Sequence, residues 1–120
     1  METIDIFKGS PDARDIAAGT VVFTQGDEAD VMYAVVEGEL GIEVNGKPVG
    51  TVGPGQVVGE MALIDRHGKP RTATVSATVD SRIVAVDEDE FLRLVHRVPF
   101  FALQLLRIVS ERLRRTNELL

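Results

Sequence analysis

The segment GEMALIDRHGKPRTATV, residues 59–75, places one arginine, Arg71, at the start of a strand pattern over residues 72–77. Alternate side chains of such a strand should face a core, so a guanidinium there needs an anion or a carboxylate to offset its burial. Gly59 lets the backbone approach a ligand closely, and the short helix predicted after it has unpaired N–H groups in its first turn. The segment therefore predicts a pocket for one phosphate, with Glu60 as a hydrogen-bond acceptor beside it.

A second interpretation of these residues is a buried ion pair between Glu60 and Arg71, linking helix and strand. Structural ion pairs and binding sites leave similar patterns in a sequence. Two features favour the anion site: Gly59 stands directly ahead of the helix, and Thr72 adds a hydroxyl donor next to Arg71. The residues alone leave both interpretations open.

Strand patterns lie on both sides of this segment. Short runs rich in Val and Thr alternate with glycine-containing turns, and Asn45-Gly46 between two such runs is a strong hairpin signal. Roughly seven or eight strands at a spacing of about 8–12 residues are typical of an all-β sandwich or barrel. We predict a mostly β fold, a β-roll (double-stranded β-helix or jelly roll), with a short helix inside residues 59–75.

The pattern changes after this β region. The acidic run at residues 87–90 suits a helix N-terminus, and Pro99 ends that helix and begins the next. No Pro- or Gly-rich linker separates the strands from the helices. We therefore predict a single domain over residues 1–120, made of an N-terminal lead (1–12), the β-roll (13–86) and two C-terminal helices (87–120).

The composition excludes several classes of protein. The chain has 120 residues, of which 44% are hydrophobic, so it can bury a core. Its net charge of −6 argues against direct binding to nucleic acid, which needs a basic face. No apolar run reaches the ~20 residues of a membrane span, and no secretion signal is evident. With no cysteine, the chain is expected to be cytoplasmic.

Catalytic and metal chemistry lack the residues they need. The two histidines, His67 and His96, lie in different predicted elements, which does not suit a cupin-like metal centre or a nucleophile with its base. His67 is expected to be exposed and His96 to cap a helix end. The acidic run at residues 87–90 is better explained as a helix start than as a divalent-cation site. We expect no catalytic residue, no metal and no cofactor.

The last helix carries two apolar stripes. A heptad seam at alternating spacings of 4 and 3 consists of Ala102, Leu106, Val109, Leu113, Thr116 and Leu120. A second stripe consists of Phe101, Leu105 and Ile108. Two apolar faces usually have two neighbours, so the pattern fits either both faces on the roll or a homodimer through residues 99–120.

The sequence GEMALI followed by PRTATV resembles the phosphate-binding cassette of cyclic nucleotide-binding domains, the regulatory modules of cyclic-nucleotide-dependent kinases, cyclic-nucleotide-gated channels and catabolite-activator-type regulators. The family motif is Phe-Gly-Glu-x-Ala-Leu and then Pro-Arg-x-Ala-Thr-Val. Residues 18–27, 33–40 and 53–55 also resemble the family's early strands and the turn before the cassette. The resemblance extends over roughly residues 16–94 and a final helix, and several ordered motifs are more specific than one.

The resemblance implies a role for each cassette residue. Arg71 would bind the exocyclic phosphate oxygens, and Glu60 would accept from the ribose 2′-hydroxyl. Thr72 would reach the phosphate or a guanine edge, which permits cGMP without excluding cAMP. The remaining implied site residues are the backbones of Gly59 and Ala62, the pocket-lining side chains of Val58, Met61, Leu63 and Val75, and Arg112 as a lid over the base.

Three departures from the family pattern stand out. Val58 replaces the usual phenylalanine, the loop at residues 65–70 is longer than in the kinases, and no helix-turn-helix, kinase or channel segment is expected after residue 120. The output would then be an effector in trans, self-association, or a larger protein from which this chain comes.

We therefore predict a cyclic nucleotide-binding regulatory module in signal transduction, in which cAMP or cGMP repositions the C-terminal helices. The alternatives are a degenerate interaction domain of the same fold that binds no nucleotide, and a cupin-like enzyme.

Overall fold

A computed structural model describes residues 2–65 and 69–118, apart from the Thr116 side chain. His67 and Leu120 lie outside the described residues, as does the middle of the loop at residues 65–70. The elements are β1 Arg14–Ile16, β2 Val21–Phe23, β3 Val31–Glu37, β4 Leu40–Val44, β5 Lys47–Val52, β6 Val57–Val58, α1 Met61–Ile64, β7 Thr74–Ala77, β8 Ser81–Asp87, α2 Glu88–Arg97 and α3 Pro99–Glu118.

The strands form two four-stranded antiparallel sheets, ordered β1-β8-β3-β6 and β2-β7-β4-β5. The hairpin predicted at Asn45-Gly46 joins β4 to β5, and both turn residues have positive φ, as a two-residue hairpin turn requires. The predicted β-roll with a short internal helix and two C-terminal helices is confirmed.

Apolar side chains form two clusters on opposite faces of the first sheet. One cluster lies between the two sheets and includes Val35, Val58 and Val75. The other lies between the first sheet and the helices and includes Met32 and Val57. Successive residues of a strand point to opposite faces, so Val57 faces the helices while Val58 faces the space between the sheets.

The N-terminal lead completes the helix-side cluster. Ile4 and Phe7 are buried, and the ring of Phe7 meets the ring of Phe101 edge-on at a centroid distance of 6.0 Å. Residues 6–9 form turns, and the side chains of Ile4 and Phe7 pack on the domain. The lead thereby covers the N-terminal end of α3.

The helix boundaries agree with the sequence. The Asp87 carboxylate accepts from the N–H of Glu90 at 2.9 Å, which caps α2 and confirms the acidic run as a helix start. Pro99 begins α3, and His96 lies exposed in the last turn of α2. No helix in the described part of the chain has the length and apolarity needed to cross a bilayer.

The two stripes of α3 have different environments. Phe101, Leu105 and Ile108 are buried against the first sheet. Leu106 and Leu113 of the heptad seam are 65% and 61% exposed, so these two side chains do not pack on the roll. The homodimer stays a prediction.

One predicted boundary was wrong at the site itself. The strand expected from residue 72 begins at Thr74, so Arg71 lies in irregular backbone rather than at the start of a strand. The backbone of Arg71 pairs instead with a turn: its N–H donates to Asp27 O at 2.8 Å, and its C=O accepts from Gly26 N at 2.9 Å. The turn therefore satisfies the N–H and C=O groups of Arg71 that a neighbouring strand would have paired in a sheet.

Candidate ligand-binding site

A cavity of about 250 Å³ opens beside α1, at the end of the inter-sheet core. Apolar atoms form most of its wall, with a few charged side chains among them, as is usual for small-molecule sites. The lining residues are Phe23, Ala29, Ile42, Val58, Gly59, Glu60, Met61, Ala62, Asp65, Lys69, Pro70, Arg71, Thr72, Ala73, Val75 and Arg112.

Arg71 is the most deeply placed charge in this wall, with a relative exposure of 6%. Its Nη2 donates to the carbonyl of Val31 at 2.7 Å, and its Nη1 makes a long contact of 3.5 Å with the carbonyl of Gly59. The guanidinium stacks on the Phe23 ring, 4.1 Å from its centroid. Carbonyls and a ring face therefore hold the cation in place without neutralising it.

The Arg71 guanidinium also has unused hydrogen-bonding capacity. Among the described residues, its Nε is buried and has no hydrogen-bond partner, and no carboxylate lies within 4.0 Å of the group. Burial lowers the pKa of Arg71, while Tyr33, Asp30 and Asp27 act in the opposite direction. A buried donor without a partner costs free energy, so an anion at this position would be stabilising.

The alternative of a Glu60–Arg71 ion pair does not hold in the structure. Glu60 is 7% exposed, and its Oε1 pairs with Nη1 of Arg112 at 2.5 Å. Arg112 also donates to the carbonyl of Val57 through its Nη2. Arg112 of α3 therefore satisfies the acid, while Arg71 keeps its charge for the cavity.

Gly59 allows the close approach that the sequence predicted. Its φ of +72° is in the left-handed region, and a Cβ there would lie 2.5 Å from Nη1 of Arg71 and 3.3 Å from the Phe23 ring. A larger residue would push the guanidinium out of its position. The glycine is required both by its backbone conformation and by the space that Arg71 fills.

The helix after Gly59 is a single turn, Met61–Ile64. The N–H of Ala62 donates to the carbonyl of Gly59 at 3.1 Å, so this group is not one of the unpaired donors expected for an anion. The charge of Arg71, rather than the N-terminus of α1, is the clearest anion-attracting feature of the wall.

The other predicted site residues occupy the wall with one exception. Val58 and Val75 form buried apolar wall, whereas Met61 and Thr72 lie exposed at its edge. Leu63 does not line the cavity and packs against the helix-side cluster instead. It follows Met61 by two positions, which on a helix turns a side chain to roughly the opposite face.

Two residues of the wall, Phe23 and Lys69, are not among the predicted site residues. Phe23 lies in the short strand β2, in a segment that resembles the family's early strands. Lys69 pairs with Asp65 at 3.4 Å at the edge of the cavity and adds a second cation near Arg71. No local motif marks Phe23; it reaches Arg71 because β2 pairs with β7 across the sheet.

Comparison with known proteins identifies the family of this chain. A family model described as "Cyclic nucleotide-binding domain" matches residues 13–98, so the chain belongs to the cyclic nucleotide-binding domain family. The match includes the strands, the segment at residues 59–75 and α2.

A curated relative is the Pycsar effector protein XpPycTIR of Xanthomonas perforans, 33% identical over 102 residues. The match covers 85% of this chain and 33% of the relative, so this chain spans about a third of that protein's length.

Among solved structures, the catabolite activator protein of Thermus thermophilus is similar with a TM-score of 0.76 and 29% identity, over 88% of this chain and 51% of that one. The EAL enzyme Bd1971 in its cAMP-bound form is similar with a TM-score of 0.62 and 32% identity, over 88% of this chain and 29% of that one. Its cGMP-bound form is similar as well, with 31% identity. This relative has therefore been solved with cAMP bound and with cGMP bound.

Proposed function

We propose that this chain binds a 3′,5′-cyclic nucleotide, cAMP or cGMP, in the cavity beside α1. The observation that carries the proposal is the Arg71 guanidinium, buried with an unpartnered Nε and with no carboxylate at ion-pair distance among the described residues. A cyclic phosphate supplies one negative charge and two exocyclic oxygens that match the planar donors of an arginine. Membership of the family supports the same ligand.

Each part of the ligand has a counterpart in the wall. The phosphate would bind Arg71, with Lys69 at the edge as a second cation. The ribose 2′-hydroxyl would donate to Glu60. The base would contact the apolar wall. The hydroxyl of Thr72, at the edge of the cavity, could form a hydrogen bond with a guanine.

The proposed role is regulatory. The family is a ligand-sensing module, and we propose no catalytic activity for residues 1–120. Ligand binding would shift α2 and α3 between two positions, by an amount set by the difference in ligand affinity between them. The signal would pass either to a second copy through the exposed stripe of α3 or to an effector in trans.

Titration calorimetry on the intact chain tests the proposal. The titrants are the four ribonucleoside 3′,5′-cyclic monophosphates, with linear 5′-AMP and 5′-GMP as matched controls that carry the same bases. We expect saturable heat with cAMP or cGMP and much weaker binding of the linear controls. Absence of heat with all four cyclic nucleotides would contradict the proposal and favour the degenerate interaction domain.

A further inference from the structure

An aromatic ring lies against the Arg71 guanidinium in the cavity wall. The centroid of the Phe23 ring is 4.1 Å from Cζ of Arg71, well within the ~6 Å limit of a cation–π contact. Phe23 is 9% exposed and Arg71 is 6% exposed, so water screens the pair little. A cation–π contact is stronger at such a desolvated position than at the surface of a protein.

A second ring supports the first from the opposite sheet. Phe23 belongs to β2, in the second sheet, whereas Tyr33 belongs to β3, in the first sheet. The two rings stack with an interplanar angle of 27° and a centroid distance of 6.0 Å. Both side chains pack in the cluster between the sheets. The position of the Phe23 ring is therefore set by both sheets rather than by β2 alone.

Contact with the face of a ring uses none of the N–H donors of a guanidinium. A carboxylate in the same place would accept one or two of these donors and offset the charge. Among the described residues, Arg71 donates to the carbonyls of Val31 and Gly59, and its Nε has no hydrogen-bond partner. Stacking on Phe23 therefore restricts the guanidinium while leaving its charge and a donor for an anion in the cavity.

We infer that Phe23 is a positioning residue for the proposed ligand, because its ring holds the Arg71 guanidinium in the orientation that binds the cyclic phosphate. The inference rests on the proposed function, since the phosphate is the proposed partner of Arg71. A guanidinium that is already held in place loses less conformational freedom when the ligand binds, which raises the affinity. Phe23 also lines the cavity, so the test separates its action through Arg71 from direct contact with the ligand.

Phe23→Leu removes the ring and keeps an apolar side chain. We expect this variant to bind cAMP or cGMP about fivefold more weakly than the wild type, the factor that corresponds to a cation–π contact of ordinary strength. Phe7→Leu is the matched control, because Phe7 is a buried ring of the helix-side cluster rather than of the cavity wall. It should lose comparable stability toward chemical denaturation and keep the wild-type affinity. Wild-type affinity in Phe23→Leu would overturn the inference.

A double-mutant cycle distinguishes positioning from direct contact. In the Arg71→Ala background, Phe23→Leu should weaken binding no further, because no guanidinium remains to be positioned. NMR titration measures these low affinities. An equal loss in both backgrounds would make Phe23 a direct ligand contact and overturn the positioning role. Phe23→Met, which has a flexible apolar side chain and no ring, replaces Phe23→Leu if the leucine impairs folding.

The mobility of the guanidinium is a readout that needs no ligand. Nitrogen NMR relaxation of the Arg71 Nε–H group gives its order parameter, which we expect to fall in Phe23→Leu and to keep the wild-type value in Phe7→Leu. An unchanged order parameter in Phe23→Leu would overturn the inference whether or not a ligand binds. A wild type that binds no cyclic nucleotide would instead overturn the proposed function, so the two failures are distinguishable.

Discussion

Arg71 carries a charge whose burial is only partly compensated by its neighbours. A carbonyl, a long carbonyl contact and the Phe23 ring hold the guanidinium, while its Nε stays without a partner among the described residues. A buried donor without a partner costs free energy, and perturbed charges of this kind cluster at functional sites. Its geometry depends on Gly59, which leaves the space that the guanidinium fills.

Gly59→Ala tests this dependence. The added Cβ would meet Nη1 of Arg71 at 2.5 Å, and the φ of +72° disfavours any L side chain, so we expect a loss of about 1–3 kcal/mol in the free energy of unfolding together with weakened ligand binding. Chemical denaturation measures the first quantity and calorimetry the second.

Gly50→Ala is the matched control, because no atom lies within 4 Å of its added Cβ and its φ is not in the left-handed region. It should lose far less stability and bind normally. Equal effects of the two substitutions would contradict the account of Gly59.

Among the elements, the sequence predicted the strands, the hairpin at residues 45–46, a helix start in the acidic run at residues 87–90 and the break at Pro99. These features depend on local chemistry: alternation, turn residues and helix ends. It could not predict that β7 begins only at Thr74, which leaves Arg71 in irregular backbone, or that Leu63 turns away from the cavity. The first follows from backbone pairing with residues 26–27 and the second from the phase of a one-turn helix, and both are settled only by tertiary contacts.

The Glu60–Arg112 ion pair could not be predicted, because it joins residues that are distant in sequence. Glu60 and Arg112 are 52 residues apart in sequence, and nothing local predicts which arginine would pair with this acid. The resemblance to the family named Arg112 as a lid over the base, and the structure shows that Arg112 bonds to Glu60.

The exposed stripe of α3 predicts a homodimer. Leu106 and Leu113 are seven positions apart on one helix face and exposed, which fits a homodimer formed by two α3 helices. Light scattering after size exclusion should give twice the 13.1 kDa monomer mass for the wild type and the monomer mass for Leu106→Glu.

Leu92→Glu is the matched control, since Leu92 is 56% exposed on α2 and lies outside the α3 seam. It should remain a dimer. A monomeric wild type at high protein concentration would contradict the dimer and favour an effector in trans.

At the scale of the whole molecule, an acidic chain of net charge −6 is proposed to bind an anion. The two are compatible because the potential inside a cleft is set by the nearest groups in a low-dielectric wall rather than by net charge. Lys69, Arg71 and Arg112 line the cavity with Glu60 and Asp65, so the described part of the wall is positive by one charge.

Binding of the phosphate by Arg71 is tested by the affinity of Arg71→Ala for cAMP and cGMP relative to the wild type. Arg82→Ala, which removes an exposed arginine of β8, is the control, and thermal unfolding of each variant verifies the fold. We expect Arg71→Ala to remain folded and to lose about 2–5 kcal/mol of binding free energy, because a buried phosphate would lose its charged partner. A wild type that binds a cyclic nucleotide and an Arg71→Ala variant that binds it equally well would contradict the account.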